Sequence, residues 1–242
     1  MTSFVLVHGG GHGSWCWGRV VGPLRDAGHR VEAVDLPGRD GTLPDGYDEY
    51  VDVVAAAVDR ATAPVVLVGH SFGGIAVSQF AERSPTAIAG LVLVNAVLLE
   101  DGEAGFAKLL AAGEQSVLLR PGVMRISEDG NWATVTAEDA VEAFYNRCDP
   151  ADAEWAAARL CAEPIPPLMA PLRITDSGFG SVPKVYLGAR ADHALPWGFQ
   201  EHMSSAAGAE LIELGGDHSP FLSVPDEFLT YLLDGHGSGC DA

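Results

Sequence analysis

A run of apolar residues leads into a glycine-flanked serine and then into a helical pattern in the stretch APVVLVGHSFGG, residues 63–74. The letters VVLVG are typical of a buried strand, and GGIAVSQFAERS after the serine has the spacing of a helix. A strand–Gly-x-Ser-x-Gly–helix turn is so tight that its central residue is strained and its neighbours have no room for bulk. Gly69 and Gly73 leave that room, so we predict that Ser71 stands at the carboxyl edge of a sheet as a nucleophile.

The rest of the chain alternates between predicted strands and predicted helices. Strands are predicted at SFVLVHGG (3–10), HRVEAVD (29–35), PVVLVGH (64–70), AGLVLVNA (89–96), KVYLGA (184–189) and AELIEL (209–214). Strands that alternate with helices form parallel sheets covered on both faces. The sequence therefore predicts the α/β class, with a six-stranded, mostly parallel sheet and helices on both of its faces.

The alternation stops between the fourth and fifth predicted strands. Residues 98–182 contain helical stretches, irregular loops and the proline cluster EPIPPLMAPL, but no clear strand. A segment of this length is too long for an ordinary connection. We predict a helical cap at 98–182, inserted into a core made of 1–97 and 183–242, with a frayed end at HGSGCDA, residues 236–242.

Charge and cysteine content exclude several classes of protein. The 242 residues carry 33 acidic and 14 basic side chains, a net charge of −19 that disfavours nucleic acid as a partner.

No apolar run approaches the roughly 20 residues that cross a bilayer. The start, MTSFVLVHGG, has the pattern of a first strand, not of a signal peptide. The cysteines match no zinc or redox spacing, so we expect a reduced, cytoplasmic protein that binds no membrane; they are Cys16, Cys148, Cys161 and Cys240.

A serine hydroxyl needs a base to act as a nucleophile, and the chain has eight histidines. His218, in LIELGGDHSPF, follows the last predicted strand and precedes the last predicted helix. That position places it at the carboxyl edge of the sheet, in a loop that can reach Ser71. It also completes the chain order of nucleophile, acid and histidine that suits this architecture. We predict His218 as the base, against the alternative of a loop histidine that only caps the helix.

The third member must hold the imidazole in the right tautomer and stabilise its charge. Asp192 follows the fifth predicted strand, again at the carboxyl edge, and is the predicted acid. Asp35 belongs to a strand beyond the first one and is not expected to reach, while Asp217 is adjacent to the histidine and should point elsewhere. Asn95, after the fourth strand, is not an acid.

Acyl transfer also needs N–H donors for the oxyanion. One is predicted to be the backbone N–H of Phe72, the residue after the nucleophile. The other should come from the loop HGGGHGSW after the first strand, with Gly10 preferred and Gly9 as the alternative. The glycines of this loop do not form a dinucleotide-binding GxGxxG pattern.

With these motifs in place, the sequence resembles the α/β-hydrolases over nearly its whole length, and more narrowly their hydroxynitrile lyase and plant methylesterase branch with its bacterial pyrethroid-hydrolase-type carboxylesterases. The segments that carry the resemblance are FVLVHGGGHGSWCW, AGHRVEAVDLPG, VVLVGHSFGG, FYNRCDPADAEWA and GGDH. The resemblance implies Ser71, Asp192 and His218 as catalytic triad, and the N–H groups of Gly10 and Phe72 as oxyanion hole. It also implies a helical cap over the site, no metal and no cofactor.

Two positions depart from the lyases of that branch. Where they have a threonine after the histidine that ends the first strand, and a lysine after the catalytic histidine, this chain has Gly9 and Ser219. A serine cannot offset the charge of departing cyanide, so the resemblance favours an esterase. The cap residues predicted to wall the pocket are Phe106, Leu109, Phe144, Tyr145, Trp155 and Leu168.

The function that we expect is a serine carboxylester hydrolase acting on small to medium apolar esters through an acyl-enzyme. A thioesterase, a hydroxynitrile lyase and a ligand-binding relative without catalysis remain open alternatives. The expected partner is a small-molecule ester, and self-association as a homodimer also remains open.

Overall fold

The computed structural model describes residues 1–234, so the predicted frayed end and Cys240 lie outside the described residues. Six strands form one sheet in the order β2-β1-β3-β4-β8-β9, and every neighbouring pair is parallel. The strands are β1 (Ser3–Val7), β2 (Arg30–Val34), β3 (Val65–His70), β4 (Gly90–Val94), β8 (Lys184–Ala189) and β9 (Glu210–Leu214). The prediction of a six-stranded parallel sheet in an α/β fold is confirmed.

The central strands β1, β3 and β4 are buried along their whole length, as the continuous apolar runs of the sequence require. Helices pack on both faces, so the sheet separates two hydrophobic clusters. One cluster contains Tyr50 and Phe80, and the other contains Trp17 and Phe228. The helices of the core are α1 (Gly18–Asp26), α2 (Asp48–Arg60), α3 (Gly73–Arg83), α8 (Trp197–Ala206), α9 (Pro220–Ser223) and α10 (Pro225–Leu233).

The long segment between β4 and β8 connects two strands that are neighbours in the sheet. Its helices are α4 (Gly105–Leu110), α5 (Ala137–Phe144), α6 (Pro150–Ala157) and α7 (Pro166–Met169). It also contains a small antiparallel sheet of β5 (Arg125–Ile126), β6 (Trp132–Thr134) and β7 (Glu163–Pro164). The expectation of a segment without strands is therefore wrong, because strands of two or three residues are too short to produce an alternating pattern. The division into a core and a cap stays a prediction.

The end of the described chain differs from the expectation of one final helix. The helical pattern SPFLSVPDEFLTYLLDG forms two helices, α9 and α10, separated at Val224. Pro225 begins the second helix, since the residue before a proline is disfavoured in helical conformation and proline suits a first turn. Across residues 1–234, no helix combines the length and the apolar character needed to cross a membrane.

Candidate active site

Ser71 lies in the turn between β3 and α3 with a φ of +50°, a left-handed conformation that side chains other than glycine rarely adopt. The surrounding backbone holds it there, because its carbonyl oxygen accepts hydrogen bonds from the N–H groups of Gly74 and Val97, each at 2.9 Å. Such strain persists only where the surroundings determine it, and it is found at functional sites. The predicted tight turn is present, and its serine lines a cavity.

The positions two residues before and two residues after Ser71 require glycine because other atoms of the protein lie where a Cβ atom would be. A Cβ atom on Gly69 would lie 2.6 Å from Cγ2 of Val77, and one on Gly73 would lie 2.7 Å from the carbonyl oxygen of Val7. Both distances are shorter than real Cβ contacts. The serine can therefore be raised above the sheet only because its neighbours lack side chains.

His218 and Asp192 form a buried pair at the same edge of the sheet. Nδ1 of His218 lies 2.8 Å from Oδ2 of Asp192, and both side chains are almost completely buried. The other carboxylate oxygen, Oδ1, accepts hydrogen bonds from the N–H groups of Ala194 and Leu195, each at 2.8 Å. These two donors fix the carboxylate, which in turn fixes the imidazole.

Ser71 and His218 line the same cavity. Within residues 1–234 the Ser71 hydroxyl makes no hydrogen bond to the imidazole; hydrogen bonds of this kind often tighten only when substrate is bound. Because Nδ1 of His218 is occupied by Asp192, Nε2 is the ring atom left to accept a proton.

The two rival carboxylates are occupied elsewhere. Asp217 accepts hydrogen bonds from the backbone N–H of Arg147 at 2.8 Å and from the Ser223 hydroxyl at 2.8 Å, so it ties residues 98–182 to the loop before His218. Asp35 accepts from the backbone N–H of Ser14 at 2.6 Å on the surface of the protein. Neither contacts the imidazole of His218.

Three further histidines are buried near the serine. Burial lowers the pKa of His8 to about 4 and that of His12 to about 3, and it holds the pKa of His70 well below its ordinary value. Each ring makes at least one hydrogen bond within the protein: His70 Nε2 lies 2.9 Å from the carbonyl oxygen of His218, and His12 Nε2 lies 2.8 Å from the Tyr145 hydroxyl. All three are thus neutral structural groups at pH 7.

These lowered pKa values make the stability depend on pH. A histidine whose pKa is lower in the folded state stabilises the protein above its unfolded value of about 6.5, and this contribution is lost as the pH falls below that value. For His12 the loss is on the order of 2 kcal/mol by pH 5. We expect the free energy of unfolding of the wild type, relative to that of His12→Gln, to fall by this amount between pH 7.5 and pH 5 in urea titrations. A difference that stays constant over this range would contradict the assignment.

The two residues predicted to donate to the oxyanion both line the cavity. Gly10 and Phe72 are among its lining residues and Gly9 is not, which favours Gly10 over the alternative. Within the described chain, the backbone N–H groups of Gly10 and Phe72 have no hydrogen-bond partner. Helix α3 begins directly after Phe72, so the positive end of its dipole adds to the attraction that these two N–H groups exert on an oxyanion.

The orientation of the Gly10 N–H is set by its neighbours. Leu36 N–H donates to Nε2 of His8 at 3.0 Å, which leaves Nδ1 as the protonated nitrogen. Nδ1 then donates to the carbonyl oxygen of Gly9 at 2.8 Å, and that oxygen also accepts from the N–H of His12 at 3.2 Å. In a trans peptide the C=O of Gly9 and the N–H of Gly10 point in opposite directions. Fixing the carbonyl group of Gly9 therefore fixes the direction of the Gly10 N–H.

The cavity has about 920 Å³ of empty space, its open mouth included. Four predicted cap residues line it: Phe106, Leu109, Phe144 and Leu168. The prediction is wrong for two others. Tyr145 turns its hydroxyl to His12, and Trp155 lies on the surface beside Trp15 and Arg159. Sequence reasoning missed further apolar lining residues, which include Leu118, Met124, Val135, Leu160 and Ile165.

Glu163 is a second group that the sequence did not single out. It lines the cavity, accepts a hydrogen bond from the N–H of Gly11 at 2.9 Å and forms an ion pair of 2.5 Å with Arg39. Burial lowers the pKa of Arg39, but the charge and hydrogen bond of Glu163, together with nearby Cys161 and Tyr50, outweigh burial and raise that pKa above its ordinary value. Arg39 lies in the loop after β2, and Glu163 lies in the two-residue strand β7, so no periodic pattern in the sequence marks their contact. Among residues 1–234, no three His, Cys, Asp or Glu side chains gather as a metal site would require.

The two positions at which the sequence departs from the lyases that it resembles, Gly9 and Ser219, are both buried. A Cβ on Gly9 would lie 2.7 Å from Cβ of Ser71 and 2.8 Å from Nδ1 of His70. Ser219 is fully buried, and its hydroxyl has no hydrogen-bond partner in the part of the chain that the structure describes. Neither position supplies a hydroxyl or a cation to the cavity.

Comparison with known proteins agrees with the fold. Residues 4–230 match the model of the alpha/beta hydrolase family. The chain is 31% identical to Esterase PIR7B of Oryza sativa subsp. japonica, over 95% of this chain and 94% of that protein. The crystal structure of polyneuridine aldehyde esterase superposes with a TM-score of 0.85 at 25% identity, covering 97% of this chain and 98% of the other. A pyrethroid hydrolase from Sphingobium faniae shares the fold, with a TM-score of 0.85 at 24% identity and coverage of 100% and 99%.

Some relatives are longer than this chain. A protein named as chloroplastic methylesterase 11 of Arabidopsis thaliana is 30% identical to this chain. The match includes 96% of this chain and 63% of that protein. The chain covers 56% and 55% of methylesterases 15 and 13 of the same plant.

Proposed function

Because the chain belongs to the alpha/beta hydrolase family, we propose that it is a serine carboxylester hydrolase that cleaves small to medium apolar esters through an acyl-enzyme. The observation that carries the proposal is that His218, joined to Asp192 at 2.8 Å, lines the same apolar cavity as Ser71. The relatives named as esterases and methylesterases support the same reaction class.

In the first half of the proposed reaction, Nε2 of His218 takes the proton of the Ser71 hydroxyl while Oγ attacks the ester carbonyl carbon. The carbonyl oxygen becomes an oxyanion, which the N–H groups of Gly10 and Phe72 stabilise. Asp192 stabilises the imidazolium and keeps its own charge. His218 then returns the proton to the departing alcohol, and the acyl group stays on Ser71.

In the second half, His218 removes a proton from water, and the hydroxide oxygen attacks the acyl carbon. The second tetrahedral intermediate collapses, His218 gives its proton back to Ser71 Oγ, and the carboxylic acid leaves. The same two N–H donors serve both intermediates. The apolar side chains over the cavity exclude bulk water, which strengthens these electrostatic interactions.

The same geometry disfavours cyanohydrin cleavage. That reaction needs a positive group near the departing cyanide, and Ser219 supplies none; a missing cation in a water-poor site costs on the order of 10² to 10³ in rate. We expect one preparation to hydrolyse p-nitrophenyl esters of short to medium chain while releasing little or no aldehyde from mandelonitrile. Ser71→Ala serves as the blank for both assays. Aldehyde release that depends on Ser71, without ester turnover, would make the protein a lyase.

A parallel screen with acyl-thioesters of matched chain length separates the remaining classes. Oxygen esters are expected to react with the higher kcat/KM; a preference for thioesters would make the protein a thioesterase. Failure to turn over any of these compounds, together with tight binding of them, would indicate a ligand-binding relative.

The other expectations from the sequence stay predictions. A cytoplasmic location and the absence of nucleic acid as a partner are expected from composition, and self-association as a homodimer stays open. Size-exclusion chromatography with light scattering would test the assembly.

A further inference from the structure

The loop from Gly9 to His12 commits nearly every backbone group that it has. The carbonyl oxygen of Gly9 accepts from His8 and His12, that of Gly10 accepts from Nδ1 of His12 at 2.8 Å, and that of Gly11 accepts from the N–H of Cys161 at 2.9 Å. The N–H of Gly10 is left to face the cavity. The loop is thus held on both sides of the one donor that it supplies to the proposed reaction.

Two charged side chains hold the far side of this loop. Arg39, after β2, donates from Nη1 to the carbonyl oxygen of His12 at 2.7 Å. Oε2 of Glu163 accepts from the N–H of Gly11 at 2.9 Å and pairs with Nη2 of Arg39 at 2.5 Å. Because both side chains are largely buried, with exposures of 13% and 10%, water screens the pair little.

The position of Glu163 raises an electrostatic problem for an oxyanion. It is the only acidic side chain among the cavity-lining residues of the described chain, and it binds the peptide next to the Gly10 donor. An uncompensated carboxylate there would repel the negative charge that develops on the substrate oxygen. Arg39 supplies the compensating charge from behind the cavity wall, since it is not among the lining residues.

We propose that Arg39 and Glu163 are a positioning pair for the oxyanion hole: Glu163 fixes the Gly11 peptide, and Arg39 neutralises Glu163 so that the Gly10 donor can stabilise negative charge. This inference rests on the proposed hydrolase function. According to this inference, segment 98–182 forms part of the cavity wall and, through Glu163, also contributes to the electrostatics of the site.

Three variants separate the effect of the Arg39 and Glu163 charges on kcat from their effect on the structure. Arg39→Met leaves the carboxylate of Glu163 uncompensated, so kcat is expected to fall by about 10- to 100-fold, with KM for a neutral ester within about threefold of wild type. Glu163→Gln keeps an oxygen for the Gly11 N–H and removes the negative charge, so its kcat is expected to lie above that of Arg39→Met. The double variant Arg39→Met/Glu163→Gln is expected to recover at least about tenfold over Arg39→Met alone.

Arg60 offers a matched control, because it forms an exposed ion pair with Glu32 away from the cavity. Arg60→Met should leave kcat unchanged. If Arg39→Met does not fold by circular dichroism, Arg39→Gln replaces it with the same expectations, since it also removes the positive charge and keeps a polar side chain.

Two results would overturn the inference. The first is a folded Arg39→Met with the kcat of the wild type. The second is a double variant as slow as Arg39→Met or slower, which would show that the pair acts only through structure.

A second readout keeps this inference distinct from the function on which it rests. The rate at which a p-nitrophenyl alkylphosphonate modifies Ser71 is measured for each variant and should follow the same order as kcat. A wild type that neither hydrolyses esters nor reacts with the phosphonate refutes the hydrolase and the inference together. A reactive wild type with equally reactive Arg39→Met refutes the inference alone.

Discussion

Replacing Ser71 with alanine is expected to lower kcat for ester hydrolysis by about 10⁴-fold or more while leaving the fold intact. The nucleophile and its base act as a unit, so the loss of the hydroxyl removes the acyl-enzyme route altogether. Alanine still has to adopt the left-handed conformation of the turn, which the backbone contacts to Gly74 and Val97 hold in place. The measurement is kcat for a p-nitrophenyl ester, with a melting curve to show that the variant is folded.

Ser84, at the far end of the same helix, provides the control. Its side chain makes no hydrogen bond within residues 1–234, so Ser84→Ala should retain full activity. Turnover by Ser71→Ala close to that of Ser84→Ala would remove Ser71 from the chemistry.

Asp192→Asn is expected to lower kcat by up to about 10⁴-fold. The structure gives the reason, because the N–H groups of Ala194 and Leu195 both donate to Oδ1. An asparagine must turn its amide oxygen toward these two donors, so its NH₂ group faces Nδ1 of His218. A donor there forces Nδ1 to be the acceptor and places the proton on Nε2, the nitrogen that has to accept the serine proton.

Asp217→Asn and Asp35→Asn are the matched controls for this variant. Asp217 accepts three hydrogen bonds from neighbouring backbone N–H and hydroxyl groups. Asp217→Asn should therefore lower the melting temperature while changing kcat little. Asp35 binds Ser14 at the surface, and its variant should be active. A folded Asp217→Asn with crippled kcat, beside an active Asp192→Asn, would reverse the choice of acid.

The sequence could predict the central sheet and the residues around Ser71 because each leaves a strong local pattern. Continuous apolar runs mark strands buried on both faces, and the glycines at 69 and 73 mark a turn with no room for side chains. His218 and Asp192 could be predicted because parallel strands bring their carboxyl ends to one edge, so that position along the chain specifies position in space.

The sequence could not predict the contacts made by residues 98–182. Strands β5 to β7 are only two or three residues long, and α7 has four. Whether an aromatic residue lines the cavity depends on tertiary packing, which places Phe144 in the wall and turns the adjacent Tyr145 toward His12. The ion pair of Arg39 and Glu163 joins residues 124 positions apart and leaves no local signal.

The central claim is that Ser71 is the nucleophile that carries the acyl group. It is tested most directly by intact-protein mass spectrometry and peptide mapping after reaction with a p-nitrophenyl alkylphosphonate. Serine attack on phosphorus expels p-nitrophenolate and leaves a stable phosphonyl ester. We predict one adduct per chain, located on Ser71, formed together with loss of esterase activity, and absent from Ser71→Ala. Esterase activity that persists without an adduct, or an adduct on any other residue that accounts for the inactivation, would contradict the account.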